Sequence, residues 1–175
     1  MKISIALINI LFLTFVSCGD NPNAQKVSVE DTNDSEEQRI SAQAVERLDY
    51  TEYALSGEAE AAVNTWEKYQ EFAIQINYLK KADLSFFTSE DKLLEDFFAQ
   101  LKTTIPPDLK TKPIESRLVI LETKALKLRD NITLENIKIS FQLNSIKEVL
   151  VAFSNLNLQI NKKLEFDEYN KIQPE

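Results

Sequence analysis

The chain of 175 residues has no histidine, one cysteine, two glycines and one tryptophan, and each shortage removes a class of chemistry. Without histidine, the commonest general base near neutral pH and the commonest transition-metal ligand are missing together. The single cysteine, Cys18, has no disulfide partner and cannot build the thiolate cages of structural zinc or iron–sulfur sites. With only Gly19 and Gly57, no glycine-rich loop can bring its backbone against a phosphate, so nucleotide binding by that route is excluded. No cofactor is expected. Basic residues are also short: 20 Lys and Arg stand against 28 Asp and Glu, a net charge of −8. That sign disfavours nucleic acid and anionic membrane faces, both of which reward clustered Lys and Arg, so no nucleic-acid partner is expected.

Long hydrophobic runs are equally scarce. One, Ile3 to Phe15, follows Lys2, is interrupted by Ser4, Asn9 and Thr14, and leads through Val16 and Ser17 to Cys18. It is too short to cross a hydrocarbon core of about 30 Å, and a positive start, an apolar run and small residues in that order make a secretory signal. The ending Phe15-Val16-Ser17-Cys18-Gly19 resembles the lipobox of bacterial envelope lipoproteins, although Phe15 stands where that family prefers Leu. The resemblance covers this segment alone. It implies cleavage before Cys18, diacylglycerol on its sulfur and acylation of its new amino group, so the membrane is engaged through a lipid anchor. Two or three acyl chains suffice for stable anchoring. Asp20, with Glu30 and Asp31 further on, is similar to the acidic sorting signals of Bacteroidota lipoproteins, which implies the outer membrane, on its periplasmic or surface face.

Removal of residues 1–17 leaves about 160 residues, the size of one domain. Residues 18–34 are polar and poor in large apolar groups, and are expected to form a flexible tether with a reach of about 20 Å. Ser35-Glu36-Glu37-Gln38 fits a capping box. It opens a thin apolar stripe of Ile40, Ala44, Val45 and Leu48, which predicts a lead-in helix over 35–55, and Gly57 is the expected break.

The bundle domain is expected over 56–175. From Glu58 the residues Ala62, Trp66, Tyr69, Ala73 and Ile76 step by four and three, predicting one core-facing helix that ends near Lys80-Lys81. Thr88-Ser89-Glu90-Asp91 opens a second, with Leu93, Leu94, Phe97, Phe98 and Leu101, closed by Pro106-Pro107. A third starts around Lys112-Pro113 and carries Ile114, Leu118, Leu121, Ala125 and Leu128 on a 4-3-4-3 seam, with a break expected at Asp130-Asn131. Thr133 then caps a last helix over about 134–165 with Ile139, Leu143, Ile146, Leu150, Phe153, Asn157, Ile160 and Leu164 at 4-3 spacing. The expected fold is all-α, an elongated four-helix-like bundle.

Carboxylates cluster at Glu58 with Glu60, Glu95 with Asp96, and Glu165 with Asp167 and Glu168. A glycosidase-like hydrolase needs two carboxylates converging across a cleft, and nothing in the spacing marks such a pair, so solvated helix faces are expected. No catalytic or metal-binding residue is assigned. Glu115, Arg117, Glu122 and Arg129 lie on the most apolar helix, where charges are obliged to pair. Asn157 interrupts the last seam, the kind of residue that sets helix register. A small-ligand site among Trp66, Tyr69 and their neighbours is an alternative that requires a pocket of several hundred Å³. The favoured reading is a non-catalytic interaction module. Val119, Ile120, Leu126, Phe141, Val149 and Leu156 stand beside seams that already fill a bundle. Val119, Leu126 and Val149 are therefore candidate surface for an envelope protein partner or self-association.

Overall fold

The computed structural model describes residues 39–172. These form six α-helices and one 3-10 turn, with no strand among the described residues. The helices are α1 (Ala42–Glu46), α2 (Gly57–Val63), α3 (Glu67–Leu79), α4 (Asp91–Thr103), α5 (Lys112–Thr133) and α6 (Ile139–Ile172), with the 3-10 turn Pro107–Leu109 between α4 and α5. The all-α expectation holds. Cys18, the tether and the Ser35 cap lie outside the described residues.

The helical hairpin of α5 and α6 has the most extensive interface in the fold. On α5 the whole 4-3-4-3 seam, Ile114, Leu118, Leu121, Ala125 and Leu128, is fully buried. Burying each Leu or Ile contributes about 1.5–3 kcal/mol, which outweighs every cap and ion pair nearby. The helix runs through Asp130-Asn131 to Thr133 instead of breaking there. Two side chains explain this: Asn131 Nδ2 donates to Ser145 Oγ on α6 at 2.6 Å, and Thr133 Oγ1 donates back to Arg129 O at 2.8 Å. Neither competes for the backbone in a way that opens the helix. Thr133 therefore ends α5 and does not cap α6, which begins at Ile139 after a loop containing Asn136 at φ 65°. With 34 residues, α6 is about 51 Å long.

Two further helices close the core through aromatic rings. Phe72 of α3 meets Phe97 and Phe98 of α4, Phe153 of α6, and Phe86 and Phe87 of the intervening loop, with ring centroids 5.3–6.4 Å apart. Most of these pairs are edge-to-face, the arrangement that ring quadrupoles favour. The loop can turn back so tightly because α3 ends in a Schellman motif: Asp83 N–H donates to Tyr78 O at 3.0 Å and Ala82 N–H to Leu79 O at 2.9 Å. Ala82 takes the left-handed position, φ 63°, where glycine usually stands. Arg129 ties the end of α5 to the start of α4, pairing with Asp91 and donating through Nε to Ser89 O at 3.3 Å.

Two expectations need correction. Of the lead-in helix expected over 35–55, the described residues from Arg39 on hold only the turn and a half of α1, capped by Ser41 Oγ, and 49–56 is an extended arm. The backbone partners of the arm come from side chains of α6, so no i→i+4 ladder forms. The single helix from Glu58 is two: α2 starts at Gly57 behind the Ser56 cap, and a break at Asn64-Thr65-Trp66 separates it from α3. Fully buried Trp66 sits at that break, its Nε1 donating to Leu101 O at 3.2 Å.

Candidate functional site

The α5 surface opposite its buried seam carries the candidate partner residues. Val119 and Ile120 are 52% and 41% exposed, while Leu126, two turns on, is half-buried against the core. Ion pairs stand alongside. Lys102 reaches Glu122 at 2.6 Å from α4, and Glu148 on α6 meets Lys127 at 2.8 Å and Lys124 at 3.4 Å. Partial burial works to raise the Glu148 pKa, but the hydrogen bond from Lys127 and the charges of Lys124 and Lys127 outweigh it and hold the carboxyl below its ordinary value. An apolar centre with a polar rim is the anatomy of a protein interface.

Val149 does not belong to that surface. It is fully buried, as is Leu156, because α6 is gripped on two sides. Ser145, Val149, Ala152 and Leu156 form one buried row. Ile146, Leu150, Phe153 and Asn157 form an adjacent row that meets α3 and the arm. The reading of a spare apolar position therefore fails at Val149 and Leu156. Phe141, at the opposite end of α6 from its exposed tail, is 61% exposed.

The second row continues into a polar ladder that the sequence pattern did not suggest. Ser154 Oγ accepts from Tyr53 N–H at 2.7 Å and donates to Thr51 O at 2.9 Å. Asn157 Nδ2 donates to Tyr53 O at 3.1 Å, and its Oδ1 accepts from the Tyr69 hydroxyl at 2.7 Å. One turn on, Asn161 Nδ2 donates to Ala54 O at 2.8 Å and its Oδ1 accepts from Ser56 N–H at 2.9 Å. Three side chains at i, i+3 and i+7 of one helix thus hold the backbone of an extended segment. The signal available in sequence was the spacing of Ser154, Asn157 and Asn161, but only Asn157 interrupts the apolar stripe, so only Asn157 stands out.

Clefts of about 460 Å³ and 410 Å³ flank the arm, and the Glu52–Lys80 ion pair borders both. Tyr50 lines the first; burial, then the charge and hydrogen bond of Glu52, push its hydroxyl up to about 12. Tyr69 lines the second, with its pKa raised by burial and by the charge of Glu60. Trp66 contributes nothing to either, being packed into the core with its ring 5.4 Å from that of Tyr69. Of the small-ligand site expected among Trp66, Tyr69 and their neighbours, Tyr69, Ala73 and Ile76 line the second cleft, while Trp66 belongs to the core.

Three of the four charges singled out on α5 find ordinary partners: Glu115 pairs with Lys112, Glu122 with Lys102, and Arg129 with Asp91 and Asp130. Asp83, the other carboxylate whose pKa clearly moves, is lowered by hydrogen bonds from the Ser85 side chain and backbone. Among the described residues, no three acidic side chains gather as a metal cluster would require, and no helix is long and apolar enough to cross a membrane. No family model matches the chain, and no curated protein or solved structure is similar to it at a significant level.

Proposed function

We propose that the chain is a lipid-anchored, non-catalytic helical module of the bacterial cell envelope that engages an envelope protein or its own copies. The anchor is Cys18, a reading supported by the lipobox-like Phe15-Val16-Ser17-Cys18, and Asp20 with Glu30 and Asp31 supports the outer membrane, on its periplasmic or surface face. The observation that carries the interaction reading is the exposure of Val119 and Ile120 on α5, whose inward seam is already filled by five fully buried residues. Apolar groups that the core has no use for gain by covering one another across an interface.

Two measurements test the two halves. Cys18→Ser abolishes incorporation of labelled fatty acid and releases the chain from the membrane fraction; equal membrane retention defeats the anchor. Val119→Asp leaves helical content unchanged but removes the crosslinked species formed in intact cells, and Leu126→Asp weakens it. Val149→Asp, which places a charge in the core, serves as the unfolding control. An unchanged crosslinking pattern for a folded Val119→Asp chain defeats the interaction reading.

A further inference from the structure

The break between α2 and α3 has no glycine or proline to account for it. Residues 64–66 are Asn-Thr-Trp, and the stripe Ala62, Trp66, Tyr69, Ala73 and Ile76 runs through it at unbroken helical spacing. Helix α3 starts without a side-chain cap, although Asn64 and Thr65 stand beside it. Asn64 is already in the right-handed helical region, at φ −59° and ψ −32°. Trp66, at φ −92° and ψ 78°, departs from it chiefly in ψ. Two tertiary contacts act on the bend, the Trp66 indole on Leu101 O and the docking of Ala59 and Val63 in the core, and Gln70 Nε2 donates across it to Val63 O at 3.1 Å. A local sequence that asks for one helix in a fold that imposes two is a conflict between levels, and it marks an element with a second packing available.

Everything on the N-terminal side of the break is fitted to α6. The arm's backbone is held by Ser154, Asn157 and Asn161, and both α1 and α2 pack on α6. These contacts do not require the arm and the helix to belong to one chain.

We propose that α2 and α3 straighten into one helix over 57–79, carrying α1, the arm and α2 onto α6 of a second copy, whose own arm returns the exchange. The occupant of the ladder in the dimer is residues 51–56 of the other copy, which fit it by construction because the same residues fill it in the single chain. Straightening joins the two helices through residues 64–66 and restores regular helical bonding there. Reciprocal exchange re-forms the arm contacts in trans, so the dimer differs from two monomers mainly at the hinge. The surface used is not the exposed face of α5, and the proposal does not depend on that reading or on the anchor.

Asn64 and Thr65 are both exposed, so substitutions there bias the hinge without disturbing the core. The test is sedimentation of the full chain in detergent, comparing wild type with Asn64→Ala/Thr65→Ala and Asn64→Gly/Thr65→Gly after concentration and gentle warming. The alanine pair dimerises more tightly than the glycine pair by roughly tenfold or more, the helix preference acting at two positions in each of two chains. A dimer equally populated in both pairs overturns the exchange, as does an alanine pair that stays monomeric at the highest concentration. Val119→Asp separates the readings: a dimer lost in that variant but indifferent to the hinge belongs to the α5 surface.

Discussion

Helix α6 presents two unlike sides, and the contrast shows how one helix serves stability and attachment separately. Toward α5 it offers Val149, Ala152 and Leu156, packed on a seam of fully buried aliphatic residues. Toward the arm it offers Ser154, Asn157 and Asn161, whose bonds go to main-chain atoms of an extended segment. Apolar burial scales with area and tolerates sliding, whereas each side-chain-to-backbone bond nets only about 0.5–1.5 kcal/mol but works in one register. The first side holds the fold together; the second positions a segment that the core would not otherwise retain. Local opening is therefore expected to begin at the arm.

The comparison is broken most severely from the apolar side. Leu118→Ala, in the centre of the α5 seam, is expected to cost about 2–5 kcal/mol through lost burial and the cavity left behind. Denaturant unfolding followed by circular dichroism reads it as a lower midpoint for the whole helical signal. Asn157→Ala attacks the other side and is smaller, about 1–3 kcal/mol, because it orphans the Tyr69 hydroxyl and Tyr53 carbonyl together. Its signature is local: amide exchange accelerates at Thr51 to Ser56 while the α5 seam stays protected. Equal acceleration in both regions would show that the two sides of α6 are one cooperative unit.

The smallest effect comes from pH. Tyr69 has a folded pKa raised above its unfolded value of 10.0, so its stabilising contribution is full below pH 10 and is lost as pH rises through the folded value. At about pH 10.5 the loss is of order 1 kcal/mol or less from this group, seen as a melting temperature that starts to fall there. Tyr50, raised to about 12, adds in the same direction. A melting temperature flat from pH 9 to 11 would mean that neither hydroxyl is held neutral by the arm and its clefts.

The α5 seam was fully legible because each of its five positions is apolar and the helix has a single dominant inward face. Helix α6 was half legible. Its buried row of Ser145, Val149, Ala152 and Leu156 includes a serine and an alanine, and its ladder begins at Ser154, residues too polar or too small to register as a stripe. Hence Val149 and Leu156 looked spare when they are enclosed. The arm was illegible because its partners lie more than 100 residues away, and an extended segment paired to side chains has no periodicity of its own. The break at Trp66 was hidden for the opposite reason: the local pattern there is sound, and a distant carbonyl overrides it. Left-handed turns gave no warning either, since Ala82 and Asn136 take positions where a glycine would have marked the turn.

Any pull transmitted along the chain from before Arg39 meets the short α1, seated on α6 through buried Val45, and then the arm. The arm runs in the same direction as α6, its attachments following in order at Ser154, Asn157 and Asn161. Tension from the N-terminal side therefore meets these attachments one after another and peels them like a zip, at low force. The extended arm lengthens before the seam of α5 and α6 bears any load. The ladder acts as a mechanical fuse, yielding one attachment at a time so that the bundle stays intact.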